Sequence, residues 1–104
     1  MTIDEAEIKR RIRTHIKFTE HARLAMRDDN LIISDVLEAI KNLEIIEEYS
    51  EAKPFPTCLF LCWLKGKKPL HMVCALPAHV DMLIIVTMYI PSEEEWLDYR
   101  RRRK

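Results

Sequence analysis

The chain has 104 residues and a mass of 12.4 kDa, which predicts a single domain over residues 1–104. Apolar residues account for 48% of it and charged residues for 33%, a composition typical of a globular protein and not of a disordered one. Because the formal net charge is zero, binding of an anionic partner would depend on local clusters of basic residues. No apolar run has the roughly 20 residues of a membrane span and the first residues lack the order of a secretion signal, so we expect a cytoplasmic protein without membrane contact.

A first helix is predicted over residues 3–14, where Ile8 and Ile12 repeat an apolar group at helical spacing. Two pairs of opposite charge are spaced to form ion pairs on its surface, namely Glu5 with Lys9 and Glu7 with Arg11. The charged residues of this segment are therefore expected to lie on the outside of the helix.

Two further helices follow, each preceded by a residue that can cap it. Thr19 is placed to cap a second helix over residues 20–27. Ser34 or Asp35 is the expected cap of a third helix that ends at about residue 42 and buries Val36 and Ile40. Beyond this point the apolar period changes from that of a helix to that of a strand.

Four strands are predicted in the second half of the chain, over residues 44–49, 57–64, 69–76 and 81–90. The last three are joined by short turns, which indicates neighbouring antiparallel strands. Ser92 and Glu95 have the spacing of a capping box, which predicts a short last helix that carries Trp96 and Tyr99. The expected fold class is α+β, with the N-terminal helices packed on one face of a four-stranded antiparallel meander sheet and a short C-terminal helix.

Three cysteines all fall in these predicted strands, so reduced and buried thiols are expected in place of disulfides. Cys58 and Cys62 would be roughly 13 Å apart along one strand, too far to bind one metal ion together. The only glycine, Gly66, leaves no glycine-rich phosphate loop. The sequence therefore predicts neither a metal site nor a cofactor.

Three polar residues, His71, Thr87 and Tyr89, lie inside the apolar strands. If Leu76 faces Met82 across the last turn, the same register sets His71 opposite Thr87, with Tyr89 on the diagonal. This register predicts a patch in which an imidazole projects into water beside a hydroxyl and a phenol.

Each histidine candidate has two interpretations. His71 suits general acid–base chemistry if it is exposed, because its unperturbed pKa is about 6.5, but it also fits a hydrogen-bonded structural histidine. His21 on the second helix fits an inward-facing packing residue or a second catalytic group. The basic clusters, at residues 65–68 and 100–104, fit either solvated surface or phosphate-binding groups.

An ordered series of short segments resembles a known family. The segments are Phe18-Thr19-Glu20-His21-Ala22-Arg23, Glu44-Ile45-Ile46-Glu47-Glu48-Tyr49, Lys53-Pro54-Phe55-Pro56, Pro69-Leu70-His71 and Thr87-Met88-Tyr89, with Pro91 and Trp96 after them. This series is similar to the domain of unknown function 4258 family and covers nearly the whole chain after residue 17. Members of that family resemble small toxins of the RelE and MqsR kind, and some are encoded beside zinc-finger antitoxins.

The resemblance implies a RelE-like, metal-independent endoribonuclease that cleaves messenger RNA, with a zinc-finger antitoxin as partner. His71 would be the acid or base, with His21 second, and Tyr89 would orient or stack a nucleotide. The RNA-binding residues would be Arg23, Lys67, Lys68, Arg100 and Arg101, together with the rest of the basic tail. The rival hypothesis is a non-catalytic interaction module that binds a partner, or forms a homodimer, through the edge strand 44–49 and a tail helix bearing Trp96.

Overall fold

Helices come first and strands afterwards in the computed structural model, which describes residues 4–103. The helices are α1 (Glu5–Thr14), α2 (Glu20–Asp28) and α3 (Ile33–Ile40). The strands are β1 (Ile16–Phe18), β2 (Glu44–Tyr49), β3 (Thr57–Leu64), β4 (Lys68–Ala75), β5 (Leu83–Tyr89), β6 (Trp96–Leu97) and β7 (Arg101–Arg102). The expected start of the first helix, Ile3, lies outside the described residues. No helix within residues 4–103 is long and apolar enough to cross a membrane.

The helix starts follow the capping rules in two cases of three. The Asp4 carboxylate accepts a hydrogen bond from the Ala6 amide at 3.0 Å, and the Thr19 hydroxyl accepts one from the Ala22 amide at 3.0 Å. The predicted cap at Thr19 is therefore confirmed. The prediction of Ser34 or Asp35 as the cap of α3 is wrong, because both lie inside its first turn and the helix starts after Ile32 without a side-chain cap.

The main sheet has five strands in the order β1-β5-β4-β3-β2. Strands β2 to β5 form the predicted antiparallel meander. The expectation of four strands is wrong, because β1 lies parallel to β5, with Ile16 beside Leu83 and Phe18 beside Ile85. A strand of three residues is too short to show an alternating pattern in the sequence, so it escaped prediction. The sheet is mixed, with β1 and β2 at its edges.

The helices cover one face of this sheet, and the core lies between them. On β4 the side chains of Leu70, Met72 and Cys74 point into this core, while His71 and Val73 point to the opposite face. The two faces are called here the helix face and the second face. The three cysteines are buried, free thiols, as predicted, and they lie on the helix face.

A buried arginine ties α1 to the connection between β4 and β5. Arg11 is only 4% exposed and donates hydrogen bonds to the carbonyls of Pro77 at 2.9 Å and Met82 at 2.7 Å. Its guanidinium also contacts the Glu7 carboxylate at 2.7 Å, which confirms the predicted pair. The expectation that the charged residues of this helix lie on its outside is wrong for Arg11. A charge buried in this way is tolerated because each of the three guanidinium nitrogens has an acceptor.

The residues after β5 do not form the predicted helix. They form a β6–β7 hairpin, in which the Arg100 amide donates to the Leu97 carbonyl at 3.1 Å. Asp98 and Tyr99 occupy the left-handed region, at φ 56° and 60°, as a tight turn of the I′ kind requires. The Ser92 hydroxyl does accept from the Glu95 amide at 3.3 Å, but only one turn forms. Contacts with the sheet override the local capping signal.

Candidate functional site

The second face of the sheet is covered by residues 91–103, called here the C-terminal segment. Trp96 from this segment is 3% exposed and packs edge to face on His71, with ring centroids 4.4 Å apart. Tyr99 meets Trp63 of β3 in a similar way at 6.0 Å. The aromatic residues of the C-terminal segment thus cover the strand positions that hold the predicted catalytic residues.

His71 lies directly opposite Tyr89 and is hydrogen-bonded at both ring nitrogens. Its Nδ1 is 3.1 Å from the Tyr89 hydroxyl, and its Nε2 is 2.7 Å from the Tyr99 carbonyl oxygen. Because a carbonyl can only accept, we assign the proton to Nε2, so that Nδ1 accepts from the Tyr89 hydroxyl. The residue is 0% exposed. The expectation that this imidazole projects into water is therefore wrong, although its predicted proximity to Tyr89 is confirmed.

The register at the turn and a β-bulge together explain why the partner of His71 is Tyr89 and not Thr87. Cys74 pairs with Ile85, but the next residue of β4, Val73, pairs with Thr87. Val86 is therefore one extra residue in β5, without a partner position on β4. The register next to the turn, where Ala75 pairs with Ile84, is already one residue away from the predicted one, and the bulge adds a second. The predicted pairing of His71 with Thr87 is therefore wrong. The Thr19 hydroxyl donates to the carbonyl of Val86 at 2.8 Å, which ties the bulge to the start of α2.

Ion pairs fasten the C-terminal segment to the edge strand β2. Arg102 contacts the Glu47 carboxylate at 2.8 and 3.1 Å, and Arg100 contacts Glu44 at 2.8 Å. The Arg102 guanidinium also lies 4.7 Å from the centre of the Trp96 ring, a cation–π contact. The Tyr49 hydroxyl donates to Glu47. Glu47 and Arg102 are therefore charged groups that act on both the histidine and the tyrosine, and Glu95 acts on the tyrosine as well.

These neighbours and burial set the protonation of the pair. Burial lowers the pKa of His71, against the opposing effects of the Tyr99 carbonyl and Glu47. Burial raises the pKa of Tyr89, and Arg102 opposes that shift. Burial alone would raise the pKa of Glu47, but hydrogen bonds from Arg102 and Tyr49 outweigh it and the pKa is lowered. At neutral pH the pair is thus uncharged and lies beside an ionised carboxylate.

A cavity of about 350 Å³ opens next to the pair. It is lined by Tyr89, Glu94, Glu95, Trp96, Arg102 and Arg103. Of the two hydrogen-bonded residues, only Tyr89 borders it. The lining has both signs of charge, so the two arginines are offset by two carboxylates within the same wall.

The other predicted site residues do not gather here. His21 and Arg23 are exposed on α2, which packs on the helix face, so the sheet separates them from His71. The inward-facing alternative for His21 is also wrong. Lys67 and Lys68 are exposed at the turn between β3 and β4. Arg101 is exposed on β7.

Glu47 and Trp96 belong to the site but were not predicted as part of it. The sequence predicts only an edge strand for Glu47 and a tail helix for Trp96. No spacing in the sequence relates β2 to the last residues, so only the fold could bring them together. Among residues 4–103 no group of three or more His, Cys, Asp or Glu side chains is arranged to hold a metal ion.

Comparison with known proteins matches most of the chain to a family model. The model of the family described as "Domain of unknown function (DUF4258)" matches residues 18–90. This region includes His71, Tyr89 and Glu47 and ends before the C-terminal segment. No curated protein and no solved structure matches the chain.

Proposed function

Since this chain belongs to the domain of unknown function 4258 family, we propose that it is a toxin-like endoribonuclease of the RelE and MqsR kind, which cleaves messenger RNA without a metal ion. The observation that carries this proposal is the His71–Tyr89 hydrogen bond, with the tyrosine bordering a cavity that Arg102 and Arg103 also line. A proton-transfer pair and a phosphate-binding group are what this reaction needs.

In this proposal Tyr89 is the residue that contacts the RNA. The ribose 2′-hydroxyl attacks the adjacent phosphorus and gives its proton to the Tyr89 oxygen, while the tyrosine passes its own proton to Nδ1 of His71. The bond from phosphorus to the 5′-oxygen then breaks, and the same pair returns a proton to that oxygen. His71 acts through Tyr89, and its Nε2–H stays bonded to the Tyr99 carbonyl, which orients the ring.

The charges around the pair favour proton transfer once RNA is present. Arg102 disfavours a protonated His71 and Glu47 favours it. A phosphate that binds Arg102 would offset the arginine's charge and leave the effect of Glu47 dominant. His71 would then become a better proton acceptor at the moment when the phosphate is in place. The same arginine would stabilise the extra negative charge of the transition state.

The other basic residues have different roles in this proposal, according to where they lie. Lys67, Lys68 and Arg101 are exposed and are proposed to contact the RNA backbone beyond the cavity. Arg100 is engaged by Glu44 and Asp98, so it holds the C-terminal segment in place. His21 and Arg23 have no part in this scheme, because they lie on the helix face.

The test uses purified protein, single-stranded RNA and a chelator. Tyr89→Phe is expected to slow cleavage by about 10²- to 10⁴-fold, the usual contribution of acid–base catalysis. Tyr99→Phe removes a hydroxyl outside the cavity, keeps the backbone carbonyl that His71 contacts, and is the matched control. His71→Gln should alter the pH profile of cleavage, which a purely structural role would not do. Full activity of Tyr89→Phe, or loss of activity with the chelator, would contradict the proposal.

A second candidate function is the non-catalytic interaction module. The observation that favours it is the position of β2 at the sheet edge, with a strand neighbour on one side only in the described part of the chain. A partner strand, from a zinc-finger antitoxin or from a second copy, would add there. Induced expression separates the candidates: arrested growth with degraded transcripts supports the nuclease, and harmless expression with a stable complex supports the module.

A further inference from the structure

A second cavity lies between α1 and α3 on the helix face, on the opposite side of the sheet from His71. Its volume is about 450 Å³ and it is lined by Lys9, Ile12, Arg13, Ile40 and Lys41. Ile40 is fully buried and Ile12 is half-buried, so the apolar groups lie below the surface. The cations form the rim. Nothing in the proposed cleavage of RNA uses this cavity.

The rim carries positive charge that the described residues do not neutralise. Lys9 and Arg13 are one helical turn apart on α1, and neither has an ion pair within residues 4–103. The predicted pair of Lys9 with Glu5 is not formed, and the Glu5 carboxylate accepts from the Ile45 amide at 3.5 Å instead. Lys41 contacts Glu38 at 3.2 Å, but both side chains are about two thirds exposed, so water screens the pair. Like charges one turn apart repel, and carboxylates from outside would relieve that repulsion.

We propose that this cavity binds an acidic amphipathic helix of a partner protein. One apolar side chain of that helix would enter between α1 and α3 to contact Ile12, and its flanking carboxylates would pair with Lys9, Arg13 and Lys41. A slot between two helices is the shape that accepts a third helix by its apolar face. The charge of the rim selects for acidic partners and against basic ones.

The shape of the cavity favours a peptide over a lipid surface. Binding to a membrane requires apolar side chains that protrude into the boundary between headgroups and acyl chains. Here Ile12 and Ile40 are recessed below charged side chains, so a flat anionic surface would reach the cations and leave the apolar base uncovered. Only a narrow element with its own protruding apolar side chain, such as a helix, contacts both the cations of the rim and the apolar base.

The probe for the test is a labelled synthetic helix, about four turns long, with a leucine stripe and glutamates on both sides of it. Binding is measured by fluorescence anisotropy. The double variant Lys9→Glu with Arg13→Glu should weaken binding by roughly tenfold or more and should bind the lysine counterpart of the peptide instead. Lys17→Glu with Arg27→Glu changes the net charge equally at exposed sites away from the cavity, and should retain binding.

Several results would overturn the proposal. One is that the acidic helix does not bind, and another is that a scrambled acidic peptide without an apolar stripe binds equally well. The others are an equal loss of binding affinity in the control double variant, and binding of anionic vesicles but not of the peptide. Denaturation curves establish that each variant is folded. Should the reversed-charge variant unfold, Lys9→Ala with Arg13→Ala supplies the same comparison, since both side chains are exposed.

Discussion

His71 links the protonation of one side chain to the stability of the fold. Burial lowers its pKa in the folded protein, whereas an unfolded chain binds the proton with a pKa of about 6.5. The unfolded state therefore binds more protons between these two values. Stability contributed by the neutral histidine is complete above about pH 6.5 and decreases as the pH falls toward the lowered value.

The resulting prediction concerns the free energy of unfolding measured in denaturant at about pH 7.5 and about pH 5.5. It should be smaller at the lower pH, and the difference should shrink in His71→Gln. His79→Gln removes an exposed histidine and serves as the control. A wild-type protein with the same stability at both values, or an unchanged difference in His71→Gln, would show that the ring is not held neutral by burial.

Buried thiols give a second prediction at the scale of single residues. Burial raises the pKa of Cys58 and of Cys62 to about 12, and that of Cys74 well above its usual value. Because the thiolate is the reactive form, the native protein should resist a thiol reagent at neutral pH and react fully when unfolded. Trp63→Cys puts a thiol on the other side of the same strand, at a position 38% exposed, and should react at once. Rapid labelling of the unaltered native chain would contradict the packing described.

Among single elements, the start of α2 does the most to position the site. The Thr19 hydroxyl accepts from the Ala22 amide and donates to the Val86 carbonyl, so it caps the helix and fixes the bulge together. Thr19→Ala should lower the free energy of unfolding by about 1–2 kcal/mol, because a cap is lost and a carbonyl loses its donor. Thr19→Ser keeps both bonds and should restore most of the stability in a denaturation experiment. Equal stability of all three proteins would mean that neither bond matters.

The sequence predicted the elements that carry a long, repeated signal and missed the short ones. The strands of the meander have apolar runs bounded by turn residues, and their bounds were predicted to within about two residues. Strand β1 has three residues and pairs with a strand far along the chain, so it has no local signature. The capping box at Ser92 is a real local signal, but Trp96 gains more by packing on His71 than by continuing a helix.

The prediction of the site from the sequence was likewise limited to local signals. The side-chain alternation that marked His71 and Tyr89 is local, and it identified the pair. Their burial depends on the C-terminal segment, and the pairing of Arg102 with Glu47 joins residues with no sequence relation. Such contacts are fixed by the tertiary structure, which a single sequence does not encode in any repeat or spacing.

For the whole molecule, the two layers on opposite faces of one sheet should unfold together. The helices lie on one face, and both tryptophans, Trp63 and Trp96, lie on the other. Helical circular dichroism and tryptophan fluorescence should therefore give the same midpoint in denaturant, as a two-state transition requires. An earlier fluorescence transition would mean that the C-terminal segment detaches while the sheet and helices persist.

The extra residue in β5 moves the alternation of its side chains between the two faces of the sheet by one position. If β5 paired regularly beyond Ile85, with Val86 opposite Val73, Met88 would lie opposite His71 and Tyr89 would enter the hydrocarbon core. The meeting of imidazole and phenol thus depends on keeping Val86 out of the ladder as well as on which residues the strand contains. A chain without Val86 would reach the same meeting by a regular ladder, since Cys74 would still pair with Ile85 and His71 with Tyr89.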